Sequence, residues 1–192
     1  MAKKTTGIQK PSMDTGKAAL KAGLHLLTQG VRASSLSTGM VAADAGITSD
    51  AFKRAYPEFI DYLLDLLQRL MDDVAEETLR AREHLPRGDK RLRLGIISHL
   101  DAMLQRPELL ELSHALRNHP RCKEIARKRL QILLKDVGAE LKLSGVGNAS
   151  GFAPLAAAML TETARAEHDA HRPLKDFRAT LISYFSGFLA TS

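Results

Sequence analysis

Residues 37 to 59 read STGMVAADAGITSDAFKRAYPEF, and this stretch predicts two short helices joined at one glycine. Ser37 suits the N-cap of the first helix, because its hydroxyl can accept a hydrogen bond from an unpaired backbone N–H. Gly46 suits the end of that helix, where a left-handed backbone costs little without a Cβ. Thr48 or Ser49 can then cap the second helix. The pattern predicts a tight helix-turn-helix corner.

Two helices joined by so short a turn must cross steeply, and the crossing requires a small residue on the first helix. Ala42, four residues before Gly46, meets this requirement. The side chains expected in a shared core are Val41, Ala45, Ile47 and Phe52. Those left facing outward are Thr38, Ser49, Asp50, Lys53 and Arg54. Small polar and basic groups near a helix start can reach base edges and phosphates, but an ordinary corner of a helical core shows the same spacing.

The positive charge of the chain is concentrated at its N-terminal end. The 192 residues carry a formal net charge of +6. Residues 1 to 60 hold eight Lys and Arg against four Asp and Glu, whereas the remaining 132 residues hold 20 against 18. Such an excess attracts a polyanion through counterion release. It is also typical of a solvated basic tail.

The rest of the sequence predicts an all-α protein of about nine helices. Apolar residues recur three and four apart between prolines and glycines, and no segment alternates as a strand does. The prolines expected at first helical positions are Pro57, Pro107, Pro120, Pro154 and Pro173. Residues 144 to 151, SGVGNASG, read as a loop. The predicted domains are a basic arm over residues 1–12, a helix-turn-helix domain over 13–57 and a larger helical domain over 58–192.

The sequence also indicates a cytoplasmic protein. Cys122 is the only cysteine, which excludes an internal disulfide and fits a reducing compartment. The start, MAKKTTGIQK, lacks the apolar stretch of a secretory signal. The longest apolar run, Phe152 to Leu160, is far shorter than the roughly 20 residues needed to cross a bilayer. We therefore expect no association with a membrane.

The segment LSTGMVAADAGITSDAFKRAY, Leu36 to Tyr56, resembles the tetracycline-repressor (TetR) family. An amphipathic helix precedes it and a leucine-rich helix follows it, as in that family. The resemblance implies a homodimeric regulator that binds a double-stranded DNA operator and responds to a small-molecule effector through its C-terminal helices. The positions it assigns to the recognition helix are Thr48, Ser49, Asp50, Ala51 and Arg54, with Ser37 and Thr38 close to the DNA backbone.

Three residues depart from the family pattern. Lys53 stands where a phosphate-contacting tyrosine is usual, and Phe59 stands where a lysine usually opens the fourth helix. Asp50 replaces a frequent glycine or proline, and its charge would repel phosphate unless it caps the helix or accepts from a cytosine amino group. These departures favour an alternative, a helical ligand-binding or adaptor protein whose helix-turn-helix no longer binds DNA.

The last two helical stretches are apolar along one side. The residues predicted to form a two-fold dimer interface are Leu155, Met159, Thr163, Phe177, Leu181, Tyr184, Phe185 and Phe188. A chain of this length has a limited core to receive both stretches, which favours an isologous four-helix interface. The alternative is that these faces close the core of the single chain.

A ligand pocket and a metal site have weaker signals. The predicted pocket residues are Ile96, His99, Leu100, Met103 and His114, a mixture that suits a small apolar ligand with one hydrogen-bonding group. A histidine on an apolar face is, however, more often a core residue. His168 and His171 are spaced for metal binding, but they lie at a helix end where cationic histidines also fit. We expect no metal, no cofactor and no enzymatic activity.

Overall fold

The computed structural model describes residues 13–190, without the side chains of Met13 and of residues 186–190. This part of the chain contains nine α-helices, one short 3-10 helix at Ala33–Ser35 and no strand. The α-helices are α1 (Met13–Thr28), α2 (Thr38–Asp44), α3 (Ser49–Ala55), α4 (Phe59–Arg82), α5 (Asp89–Leu104), α6 (Pro107–Leu116), α7 (Pro120–Leu143), α8 (Ala149–Ala170) and α9 (Lys175–Ala190). The predicted all-α fold is confirmed. The basic arm predicted over residues 1–12 lies outside the described residues.

The chain divides into two compact units, Met1–Arg69 and Leu70–Ser192. We call them the N-terminal unit and the C-terminal unit. The division falls inside α4, later than the domain boundary predicted after residue 57. The first turns of α4 belong to the N-terminal unit because they supply Tyr62, which is fully buried there and packs on Phe52 of α3.

Aromatic rings and small residues form the core of the N-terminal unit. Phe52 and Tyr62 are both fully buried, and their ring centroids lie 5.1 Å apart. The Tyr62 hydroxyl donates a hydrogen bond to the backbone oxygen of Ala19 on α1, at 3.2 Å. Gly23 lies next to this hydroxyl, and a Cβ built on Gly23 would come within 1.8 Å of the Tyr62 oxygen. Close approach of α1 to α4 therefore depends on that glycine.

The core of the C-terminal unit is formed by helices α5, α7, α8 and α9. Its main apolar cluster contains Leu92, Ile96, Leu100, Val137, Leu141, Leu160, Leu181 and Phe185, together with small residues of α8. Since these side chains come from four helices, none of the four could bury its apolar face alone.

Two buried carboxylates join helices within the C-terminal unit. Glu140 of α7 is fully buried; its carboxylate accepts the backbone N–H of Gly88 at 2.8 Å and lies 3.2 Å from the Nε of Arg91. Glu167 of α8 is also fully buried, and Arg178 of α9 donates to its two carboxylate oxygens at 2.6 and 2.7 Å. These pairs fix which helices meet, because a buried carboxylate without a cation would be strongly unfavourable.

The proline positions agree with the prediction only in part. Pro107 and Pro120 occupy the first turns of α6 and α7 as expected. Pro154, in contrast, lies inside α8, which begins five residues earlier at Ala149, so the predicted start of this helix is wrong. Asn148 caps the helix by accepting from the N–H of Gly151 at 3.2 Å. The helix continues through the proline because residues on both sides of it, such as Ala153, are buried in the core.

None of the described helices combines the length and the apolar composition needed to cross a membrane.

Candidate nucleic-acid interface

The ends of α2 are set by two local signals. At its start, the Ser37 side chain accepts the backbone N–H of Met40 at 3.3 Å. At its end, the N–H groups of Gly46 and Ile47 donate to the backbone oxygens of Ala43 and Ala42 at 3.1 and 3.0 Å. This is the Schellman pattern, and it requires the left-handed φ of 65° that Gly46 adopts. The predicted cap and the predicted glycine turn are both present.

Helix α3 is oriented by its cap and by one buried ring. Thr48, rather than Ser49, is the N-cap residue, and its hydroxyl accepts the N–H of Ala51 at 3.1 Å. Phe52 is fully buried in the same core as Val41 and Ala42 of α2. Since a helix repeats every 3.6 residues, burial of Phe52 turns positions 50, 53 and 54 toward solvent, and Ser49 in the first turn is exposed as well.

The outward face of α3 carries the predicted DNA-binding residues. Thr48, Ser49, Asp50, Lys53 and Arg54 are exposed, as is Ser37, whereas Thr38 and Ala51 are half-buried. Lys53 and Arg54 form no ion pair with any described residue, so both cations are available to a partner. Asp50 lies in the first turn of α3, where a negative charge is stabilised by the helix dipole. The arrangement presents a small cationic surface on a rigidly held helix.

Phe59, one of the departures from the family pattern, has a structural role. Its ring centroid lies 5.5 Å from that of Tyr62 and 6.2 Å from that of Phe52. The residue therefore extends the aromatic core of the N-terminal unit at the start of α4. The sequence alone showed only that a cation was missing at this position.

Two polar contacts of this unit could not be found from spacing. The Nδ1 of His25 on α1 lies 3.0 Å from both carboxylate oxygens of Asp44 at the end of α2, a pair separated by 19 positions. Burial, followed by the nearby carboxylate of Asp65, raises the pKa of the Tyr56 phenol to about 12. Tyr56 therefore stays protonated at physiological pH and acts as a neutral core residue.

The five predicted pocket residues occupy different environments. Ile96 and Leu100 are buried in the core of the C-terminal unit, and Met103 packs against that core. His99 lies on the same helix; burial and the neighbouring Arg82 lower its pKa to about 4, so its imidazole is neutral. His114 is exposed on α6 and contacts Arg117, so it does not share the surroundings of the other four. The pocket stays a prediction.

A surface cleft of the C-terminal unit lies elsewhere, between α7 and α8, with a volume of about 580 Å³. None of the five predicted pocket residues lines it.

The predicted dimer face divides into exposed and buried residues. Leu155 and Phe177 are 47% and 53% exposed. Leu181 and Phe185 are buried in the core of the single chain, and Thr163 is buried with its hydroxyl bonded to the Met159 backbone oxygen. Met159 and Tyr184 are half-buried, and the Phe188 side chain lies outside the described residues. Fewer of the predicted residues are thus exposed for contact with a second copy than the sequence pattern indicated.

His168 and His171 are explained by the end of α8. Their ring centroids lie 6.1 Å apart, and His171 adopts the left-handed conformation, with φ of 51°, that closes the helix. Among the described residues, no group of three or more His, Cys, Asp or Glu is arranged to hold a metal ion.

The fold and the geometry of α2 and α3 define a class: an all-α protein with an N-terminal helix-turn-helix that exposes basic residues. Solved structures match the fold of the chain over nearly its full length. A transcriptional regulator from Rhodococcus sp. Rha1 superposes with a TM-score of 0.71 and 17% identity, covering 95% of this chain and 97% of that one. A transcriptional regulator from Pseudomonas aeruginosa PAO1 gives 0.70 and 14%, covering 97% of each chain.

A TetR family transcription regulator from Marinobacter aquaeolei VT8 superposes with a TM-score of 0.60 and 19% identity, covering 92% of this chain and 94% of that one. No protein-family model and no curated protein matches the sequence. At these identities the likeness concerns the fold, and the predicted resemblance to the TetR family is confirmed at that level.

Proposed function

We propose that this protein is a transcriptional repressor of the TetR type. It binds a palindromic DNA operator as a homodimer in the cytoplasm, and a small molecule releases it. The observation that carries the proposal is the unpaired cationic surface of α3, formed by Lys53 and Arg54 on a helix held by the Thr48 cap and the buried Phe52. The solved regulators of the same fold support it.

The exposed residues of α3 divide by their chemistry. Arg54 can donate two parallel hydrogen bonds to a guanine edge, and Ser49 and Thr48 can contact bases or flank them. Lys53 is a mobile point charge suited to a backbone phosphate. Since the ring of Phe59 packs in the aromatic core and offers no cation, Lys53 of α3 supplies the phosphate contact.

Release by a ligand follows from coupled equilibria. A two-fold dimer presents two copies of α3, and one spacing between them fits half-sites about 34 Å apart on B-DNA. A ligand that binds the C-terminal unit more tightly when the two copies of α3 have a different spacing lowers the affinity for DNA. The factor is at most the ratio of the ligand's affinities for the two dimer conformations. The exposed Leu155 and Phe177 are the candidates for the contact between the two copies.

The test separates recognition of bases from attraction to phosphate. The operator is first selected from a random DNA pool, and a palindrome among the bound sequences is expected. Arg54→Ala should reduce the preference for operator over random duplex about tenfold or more, since one bidentate base contact is worth about 1–3 kcal/mol. Lys53→Ala should weaken binding to both duplexes and lower the slope of log affinity against log salt by about 1 per contact.

The matched control is Lys123→Ala in the C-terminal unit. Lys123 is exposed and unpaired, so its replacement removes the same charge from a surface that the proposal does not assign to DNA. If Arg54→Ala and Lys53→Ala bind both duplexes as this control does, the protein does not read DNA through α3. A ligand-binding or adaptor protein would then be the correct interpretation.

A further inference from the structure

The cleft between α7 and α8 is lined mainly by small and apolar residues. On the α7 side these are Leu134, Gly138 and Ala139, and on the α8 side they include Ala149, Ala153 and Pro154. Gly138 and Ala153 face each other, and a Cβ on the glycine would lie in ordinary van der Waals contact, 3.8 Å from the Ala153 Cβ. Because the side chains are short, the helices leave a trough rather than a filled seam. Its volume of about 580 Å³ suits one small molecule.

The two charged residues that line the cleft are both cationic. Lys135 and Lys142 are exposed and lie seven positions apart on α7, about 10 Å along the helix axis. Neither lysine pairs with a carboxylate among residues 13–190. Arg82, Arg106 and Arg178 of the same unit, in contrast, each pair with a carboxylate. The cleft therefore combines an apolar floor with uncompensated positive charge.

One end of the cleft is better suited to an anionic group than the other. Lys142 lies in the last turn of α7, close in sequence to the start of α8, whose Ala149 and Ser150 also line the cleft. The first N–H groups of a helix have no acceptor within it, and the Asn148 side chain satisfies that of Gly151 only. Backbone N–H groups of α8 thus add to the charge of Lys142 at this end.

The opposite end is apolar. Leu134 and the ring of Pro154 line it, and Lys135 can lay its methylene chain along the same surface while its ammonium group stays in water. An elongated occupant would place its charged head at Lys142 and its hydrocarbon chain toward Pro154.

We propose that this cleft binds an amphipathic carboxylate, a molecule with one anionic head and one unbranched hydrocarbon chain. Lys142 and the N-terminal turn of α8 hold the carboxylate, and the residues between Gly138 and Pro154 cover the chain. The site does not depend on DNA recognition by α3, so it can be tested in the absence of DNA.

The probe is laurate, titrated into the full-length protein by calorimetry below its critical micelle concentration. Saturable binding is expected, and dodecanol, which has the same chain without the charge, should bind at least about tenfold more weakly because it lacks the charge-assisted contacts. Lys142→Gln should raise the dissociation constant for laurate about tenfold, and Lys135→Gln should raise it by a smaller factor. Lys123→Gln, on the same helix but outside the cleft, is the matched control and should leave it unchanged.

A second variant tests the trough itself. Ala139→Leu fills the cleft from a half-buried position and should abolish laurate binding while the helical circular dichroism spectrum stays unchanged. The proposal is overturned if laurate does not bind saturably, if dodecanol binds as tightly, or if Lys142→Gln and Lys123→Gln have equal effects. Undiminished binding by a folded Ala139→Leu variant would overturn it as well.

Discussion

The two units of this chain use charged residues in opposite ways. In the N-terminal unit the core is aromatic and aliphatic, and Lys53 and Arg54 remain exposed without partners. In the C-terminal unit, Glu140 and Glu167 are fully buried and paired with arginines. Among the described residues, every buried charged side chain lies in the C-terminal unit.

The difference reflects what each unit can do with a charge. A surface that binds a polyanion must leave its cations unpaired, so those cations cannot also pair with carboxylates of the unit that carries them. A buried ion pair adds little net stability over an apolar core, but it strongly penalises any arrangement that separates the partners. The C-terminal unit thus gains specificity in how its helices meet.

The largest effect is expected from removing a buried carboxylate. Glu167→Ala leaves Arg178 of α9 without its main partner, and the free energy of unfolding should fall by about 3–5 kcal/mol. Glu162→Ala on the same helix is the control, because the pair of Glu162 with Arg165 is solvent-exposed, and it should cost about 0.5 kcal/mol or less. Urea unfolding measures the free energy of unfolding of both variants. Equal losses would show that α9 is not held by the buried pair.

A slightly smaller effect is expected in the N-terminal unit from a single added methyl group. Gly23→Ala places a Cβ where the Tyr62 hydroxyl lies, so the ring must shift and its hydrogen bond to Ala19 is lost. The expected cost is about 3 kcal/mol, visible as faster hydrogen exchange in α1. Gly39→Ala, where no atom lies within 4 Å of the added Cβ, should leave stability unchanged or slightly raised. If both variants behaved alike, the close fit of α1 and α4 would not limit the stability of this unit.

The smallest effect concerns the pH dependence of the C-terminal unit. Burial, followed by Arg82, lowers the pKa of His99 from 6.5 to about 4, so the unfolded chain takes up a proton at higher pH than the folded protein does. The contribution of neutral His99 to the free energy of unfolding is fully present above pH 6.5 and is lost as the pH falls toward 4. The loss between pH 7 and pH 5 amounts to about 2 kcal/mol.

Urea unfolding of the parent and of His99→Gln at these two pH values isolates that contribution, since other groups titrate in both proteins. The parent should lose more stability than the variant on acidification. An equal loss would mean that His99 is as accessible to protons in the folded state as in the unfolded one.

Local signals predicted the helix-turn-helix well. The Ser37 cap, the left-handed Gly46 and the buried Phe52 each act over a few residues, so their roles can be read from neighbours in the chain. Thr48 and Ser49 were equivalent by sequence, and the structure assigns the cap to Thr48. The nine α-helices of residues 13–190 follow from the same kind of local signal.

Signals that depend on distant partners were missed or misplaced. The sequence showed that Phe59 replaces a cation, whereas the structure shows that its ring packs in an aromatic core. Leu181 and Phe185, predicted at a dimer interface, are buried in the core of their own chain. The start of α8 was assigned to Pro154 because a proline usually begins a helix, yet burial of the flanking residues carries the helix through it. For Leu181 and Phe185, the apolar periodicity showed that a helix face is buried but not which surface covers it.

The amino-acid order alone determined the helical class, the position of the turn at Gly46 and the outward set of polar and basic residues on α3, because caps, glycine conformations and helical periods act within a few residues. Only the tertiary structure decided that Tyr62 meets Gly23, that Glu140 and Glu167 are buried beside arginines, and that Lys135 and Lys142 border an open cleft. Those pairings join residues far apart in the chain, and their energies depend on burial, which no local pattern specifies.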